Sequence, residues 1–499
     1  MSLKDKPEAK YISDIVGEWG RWQLNLSAFV FVVISLNAYG DLSYSFHAYD
    51  VDYWCRDIPI ESKNNISLEE YRCLEYTNPN QTCNQWEYNT TDFHKTIITE
   101  FDLVCDRSNY ASLSQSFFML GYLITGVLLS QYADKYGRKP LVWVSFVLQI
   151  ISWILGATAV NIWMYSISRL LLGLAIYGCS GPISTSLLES CGPKHRSDIY
   201  MGAGFGWVFG YVMLPGIAFW LKDFRIMNWF GIVPIIICMV WFRFIPESPR
   251  WLITKGRTDE AEAILKKIVK QNRLSAKNFD QKFLQFRTHI SKNQTSNKTT
   301  KTYNMFDLVK TPNLRNYTLI FWFSWTVLGL VYYGFTLNMG DFGGNFYITF
   351  LLSGIVELPS SLISILALRY MSRRMALITF LSIIIISSLA IIPTTDPNWK
   401  VTFALFGKFS VGSLWWIYEI YVPEVYPTVL RNTGAGTSSS FSRLGSMASP
   451  FMKNLAANTS LSVVMVLYAF LSLCSAILAL FLPETKGTEI PDTLDDVKA

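Results

Sequence analysis

The sequence predicts an all-α membrane protein of twelve transmembrane helices in two halves of six. Three observations carry that prediction. Only 16% of the 499 residues are charged, while 51% are hydrophobic and mean hydropathy is +0.25; a soluble chain carries about a quarter charged residues. Apolar runs long enough to cross a ~30 Å hydrocarbon core at 1.5 Å rise per residue recur along the whole chain. Lys and Arg favour every second connection, as orientation in a bilayer requires.

The runs fall near 23–44, 110–131, 141–160, 162–186, 200–220, 227–245, 315–337, 346–368, 375–393, 399–421, 432–453 and 461–482. An even number puts residues 1–22 and the tail 483–499 on one side. With that side cytoplasmic, the inner connections hold Lys135, Arg138 and Lys139, then Lys194 and Arg196, then Arg369, Arg373 and Arg374, then Arg431. The loop between the third and fourth runs has no Lys or Arg. MSLKDKPEAK is charged and has no apolar core, so no cleavable leader is expected. The net charge of +6 is read as this loop bias and not as a nucleic-acid signal. No metal-ligand cluster, phosphate loop, catalytic domain or nucleophile–base pair stands out, which argues against an enzyme. No cofactor is expected.

The first outer loop, about 45–108, holds Cys55, Cys73, Cys83 and Cys105, half of the cysteines in the chain. It also carries glycosylation sequons at Asn65, Asn80 and Asn89. Sequons and cysteines both fit an oxidising compartment, where four cysteines suggest two disulfides with three pairings open. The second long loop, about 246–314, is basic and separates the six-helix halves 23–245 and 315–482. Within it Thr258 is expected to cap a helix with Asp259 and Glu260 in its first turn. Ile264, Leu265, Ile268 and Val269 make one apolar stripe that would dock under the membrane domain. The polar stretch 291–302 reads as a flexible linker.

Charges inside the runs are the chemical signal. The segment 432–452, NTGAGTSSSFSRLGSMASPFM, is rich in small residues and carries Arg443. If it enters the membrane near Arg431, Arg443 lies roughly 15–18 Å deep. A charge there is costly and faces a cavity or a partner. Glu357 and Lys408 lie at similar depths and are expected to pair, which leaves Arg443 for a ligand carboxylate. Tyr332, Tyr333, Trp415, Trp416 and Trp207 are candidates for a cation–π lining, although lipid-facing or core packing suits any single ring better. Asn37 is a polar cavity candidate. Glu419 reads as a gate salt bridge near the cytoplasmic end. Arg169 could pair or line the cavity. Cys179 and Ser180 offer no strong cation site, so sodium coupling stays open.

Ser130-Gln-Tyr-Ala-Asp134-Lys-Tyr-Gly137-Arg138-Lys139 resembles the loop signature of the major facilitator superfamily, with Ser130 in a usual glycine position. Its echo, Leu368-Arg-Tyr-Met-Ser-Arg373-Arg374, lacks the acid, so an asymmetric gate is expected. Pro246-Glu247-Ser-Pro-Arg250-Trp-Leu, Glu424-Val-Tyr-Pro-Thr-Val-Leu-Arg431 and Leu482-Pro-Glu-Thr-Lys-Gly add further matches. Together with Gly17-Glu-Trp-Gly20 and Phe101-Asp-Leu-Val-Cys105, the chain resembles the organic cation, carnitine and organic anion transporter family. The resemblance implies the major facilitator fold. It also implies a cytoplasmic gate of Asp134, Arg138, Lys139, Glu189, Arg196, Glu247, Arg250, Glu419, Glu424 and Arg431, whose charge pairs join the halves while the inside is closed.

Arginine at position 443, in Ser442-Arg443-Leu-Gly445-Ser446, is similar to the carnitine-type and anion-type members, where cation-only members carry aspartate. Gly407-Lys408-Phe409 and Val356-Glu357-Leu-Pro359 also resemble the carnitine branch. The function implied is alternating-access transport of small organic cations and zwitterions such as carnitine across the plasma membrane by a monomer. The rivals are an organic anion exchanger using Arg443 with Lys408, and a channel or non-transporting receptor of the same fold.

Overall fold

The computed structural model describes residues 11–57, 72–73, 82–192, 196–275, 279–299, 305–427 and 430–487. Twelve long helices follow the predicted runs among these residues. The first six are α1 (Arg21–Leu42), α2 (Asn109–Tyr136), α3 (Arg138–Ala157), α4 (Ile162–Ser190), α5 (Arg196–Leu221) and α6 (Phe224–Phe242). The second six are α7 (Pro312–Leu337), α8 (Phe346–Ile355 and Glu357–Tyr370, joined at Val356), α9 (Arg373–Ile391), α10 (Pro397–Val425), α11 (Arg431–Asn458) and α12 (Leu461–Ala479).

Their ends obey local chemistry. Asn161, Asp223, Ser372 and Asp396 accept backbone N–H groups at the starts of α4, α6, α9 and α10. Pro312 and Pro397 sit in first turns, where no intrahelical donor is lost. Gly137, at φ +105°, turns α2 directly into α3.

Among the described residues, nine of the twelve are long and apolar enough to cross a membrane by composition. Lys408 and Glu419 lower the hydropathy of α10, and α11 has a series of buried serines, Ser438, Ser442, Ser446 and Ser449. Small residues let α11 lie against α7 backbone to backbone. A Cβ on Gly445 would stand 1.9 Å from the Thr326 carbonyl oxygen.

At one end, which we call the disulfide end, Cys55 bonds Cys83 and Cys73 bonds Cys105. Between them a two-stranded antiparallel sheet pairs Tyr53–Cys55 with Trp86–Tyr88. Asn89 is exposed there, its Oδ1 accepting from the Thr91 hydroxyl at 2.9 Å. Asn65 and Asn80 lie outside the described residues.

The opposite, basic end carries three further helices, Pro249–Thr254, Thr258–Gln271 and Phe279–Thr299. Thr258 is the first helical residue and not the cap; Arg257 precedes it and pairs with Glu260. The predicted stripe holds, with Leu265, Ile268 and Val269 buried. Asn272, just past this helix, accepts from Trp22 N–H at 2.9 Å and donates to Val16 O and Gln23 Oε1. That clasp fixes the Gly17–Gly20 segment beneath α1. The predicted linker 291–302 is instead helical up to Thr299, because no Gly or Pro interrupts a helix already anchored by Phe283, Phe286 and Ile290.

Candidate functional site: charges between the two halves

At the basic end each half closes on itself with the same device. Arg138, opening α3, grips Glu189 of α4 with both terminal nitrogens, one at 2.7 Å. Glu247 accepts the N–H groups of Arg138 and Lys139 at 3.3 and 2.9 Å, and Ser248 Oγ donates to Glu189 at 2.7 Å. In the second half Arg373, opening α9, grips Glu424 of α10 at 3.0 Å twice. Glu484 accepts from the N–H groups of Arg373 and Arg374, and Thr485 donates to Glu424. The expected asymmetry is therefore corrected. The second half takes its acids from Glu424 and Glu484, which the loop echo alone does not contain.

These pairs stay within one half. Lys139 Nζ reaches Ile245 O at 2.8 Å, and Arg431 Nε reaches Pro423 O at 3.0 Å. Arg250 is exposed, and the side chains of Asp134 and Arg196 lie outside the described residues. The expected Glu419 salt bridge is not among the ion pairs described. Its carboxylate is exposed on α10, and its electrostatic neighbours are Arg443 and Trp415. The bonds that join the halves lie elsewhere, towards the disulfide end. Ser112 and Ser116 of α2 donate to Pro450 O and Met447 O of α11, at 3.0 and 2.6 Å. Tyr211 of α5 bonds Ser353 of α8 at 2.8 Å, and Lys453 pairs with Asp50 at 2.7 Å. Phe46 packs its ring on Phe346 and Phe350, with centroids 5.0 and 4.9 Å away.

Two clusters occupy the interior. In the first, Lys408 and Glu357 pair at 3.0 Å as expected. Tyr332 donates to Glu357, Lys408 donates to Thr336 at 2.7 Å, and the ammonium lies 3.3 Å from the Tyr332 ring centroid. Trp207 of α5 crosses to this cluster, its Nε1 donating to the Tyr332 hydroxyl at 3.2 Å.

The second cluster surrounds Arg443. Its guanidinium carbon lies 4.6 Å from the Tyr122 ring centroid and 5.8 Å from that of Trp415. No acid described here pairs with it. Trp415 also meets the ring of Tyr332 at 5.4 Å, so the two clusters touch. Trp416 is half-buried and faces Gly204 of α5 across the halves. Tyr333 donates across the halves to Asp41 of α1 at 2.6 Å, and Asn37 is buried one turn before Asp41. Arg169 is fully buried, holds Gly40 O and Gln115 Oε1 at 2.9 and 2.6 Å, and knits α4 to α1 and α2.

Asp41 and Tyr122 are the site residues that sequence reasoning missed. Asp41 stands four residues past Asn37, close enough to the run's end to read as an interfacial acid. The chain stays buried through Tyr44–His47, which places it inside. Acids and bases both occur in this region of the described helices: Asp41, Glu357 and Glu419 among the acids, and Arg169, Lys408 and Arg443 among the bases.

Residues 70–493 match the family model described as "Sugar (and other) transporter". The chain is 33% identical over 453 residues to the Drosophila melanogaster organic cation transporter protein, covering 90% of this chain and 80% of that one. Identity is 32% with the human organic cation/carnitine transporter 2, over 86% of this chain and 75% of that one. It is 31% with the Oryctolagus cuniculus organic anion transporter 3, over 98% and 93%. The fold matches the E. coli xylose transporter XylE in a partially occluded inward open conformation, with TM-score 0.64, 15% identity, and 94% and 99% of the two chains covered. The chain belongs to the sugar (and other) transporter family of the major facilitator superfamily, in its branch of organic cation, carnitine and organic anion transporters.

Proposed function

We propose that this protein carries zwitterions such as carnitine, and small organic cations, across the plasma membrane by alternating access. The observation that carries the reading is Arg443: a guanidinium in the membrane interior, set against aromatic rings, with no acid paired to it among the described residues. A guanidinium holds a carboxylate bidentately, and an aromatic face accepts a quaternary ammonium. Tyr122 and Trp415 supply aromatic surface beside it, while the Tyr332 face is taken by Lys408. A region that holds both acids and bases suits a ligand that brings both signs.

The disulfides and the basic loop support an orientation with the disulfide end outside and both termini in the cytosol. With the halves bonded towards the outer end, the carrier then rests facing inward. The anion-exchange rival needs Lys408 beside Arg443, but Glu357 and Tyr332 already engage Lys408.

The test is radiolabelled uptake into cells or proteoliposomes. Arg443→Ala is expected to abolish carnitine uptake while simple cations continue to enter. Wild-type carnitine uptake by that variant, or a dicarboxylate entering faster than carnitine in the wild type, overturns the reading.

A further inference from the structure

Asp41 has no role in the reading above. It is 1% exposed, and Oδ2 is taken by the Tyr333 hydroxyl. Oδ1 makes no hydrogen bond within 3.5 Å among the described residues, and only the Gln115 amide approaches it. A buried carboxylate oxygen without a partner costs free energy that a bound cation returns. The charged groups that act on Asp41 are Arg443 and Arg169, and the Gln115 side-chain amide, whose Nε2 bonds no other described residue, also faces its carboxylate. Arg169 spends its terminal nitrogens on the Gly40 and Asp41 carbonyls and on Gln115 Oε1. The other interior acids are less suited. Glu357 is held by Lys408, and Glu419 lies two turns from the basic end of α10.

We infer that Asp41 is the ammonium-binding residue of the substrate site, with Arg443 opposite, so that the two read the positive and negative ends of one zwitterion. This rests on the substrate class proposed above. The ligand class at Asp41 is a quaternary or protonated amine. The same carboxylate explains how a site containing Arg443 can accept a simple cation. Because Tyr333 occupies Oδ2 and the amine approaches Oδ1, the bond that joins α1 to α7 survives loading. A loaded carrier thus keeps its disulfide end shut.

The experiment compares saturable uptake of carnitine, tetraethylammonium and succinate by full-length wild type and Asp41→Asn, normalised to surface protein. The expected result is a KM for carnitine and tetraethylammonium raised about tenfold or more, with succinate uptake no lower than in wild type. Asp41→Glu, which restores the charge, is expected to bring the carnitine KM back to within about threefold of wild type. KM values for both amines within about twofold of wild type in Asp41→Asn overturn the assignment. If Asp41→Asn does not reach the membrane, the Glu variant carries the test. Its longer acid should change the KM ratio of tetramethylammonium to tetraethylammonium by about threefold, and an unchanged ratio overturns the assignment. Wild type that takes up neither amine overturns the substrate class itself. An active wild type with an indifferent Asp41 overturns only the inference made here.

Discussion

Lys408 and Glu357 lie 3.0 Å apart, and neither side chain is more than 9% exposed. Two charges in so dry a place hold only as a pair, since removing one leaves the other uncompensated. Glu357→Gln is expected to cost about 3–5 kcal/mol of stability. The double variant Glu357→Gln/Lys408→Met should recover much of that. Melting of the purified protein in detergent measures both, and a single variant as stable as wild type would contradict the pairing.

Arg443→Lys keeps the charge and loses the planar fork. A lysine at this position should raise the KM for carnitine about tenfold, or ~1.4 kcal/mol, and leave that for tetraethylammonium nearly unchanged. Equal changes for both substrates would mean that Arg443 acts on the field of the site as a whole and not on a carboxylate.

Glu484 sits outside the membrane at the second basic-end clamp. Burial pushes its carboxyl up, but the N–H groups of Arg373, Arg374 and Lys486 outweigh that and hold it below the ordinary glutamate value. A carboxylate lowered by folding stabilises the fold above its unfolded pKa of about 4.3, and that contribution fades as pH falls through the lowered folded value. Glu484→Gln should therefore melt earlier at pH 7 and lose less stability than wild type on acidification towards pH 3. Parallel pH–stability curves for the two proteins would refute this.

Gly445 faces the Thr326 carbonyl of α7 so closely that a methyl group cannot enter without moving a helix. Gly445→Ala is expected to destabilise by at least the ~1–3 kcal/mol typical of overpacking. Surface expression and melting should both fall. Since Arg443 lies two residues away on α11, any protein that survives should also transport poorly.

The fold was largely legible because hydropathy alone marks most spans. α10 and α11 are the harder ones, since the residues that make them functional, Lys408, Glu419 and Arg443, also lower their hydropathy. The Glu357–Lys408 pair was legible because depth can be counted along a helix at a fixed rise. Asp41 was not, because helix boundaries read from sequence blur by a few residues and an acid near an end has an innocent explanation. The acid partners of Arg373 were hidden for another reason. Glu424 is 51 residues away and Glu484 is 111, so only folding brings them to the start of α9. Disulfide pairing was beyond reach, as four cysteines allow three patterns and spacing does not rank them.

The twin clamps have a mechanical consequence. Arg138 with Glu189, and Arg373 with Glu424, each lock a corner of one half to itself, so neither must break for the halves to swing apart. Among the described residues, the bonds that resist such motion include two serine hydroxyls on helix carbonyls, the Asn454–Asn109 pair, a tyrosine–serine pair, one partly exposed ion pair, Trp207 on Tyr332 and Tyr333 on Asp41. The molecule is built as two stiff levers sharing one seam. The work of each transport cycle is concentrated along that seam and not spread through the helices it joins.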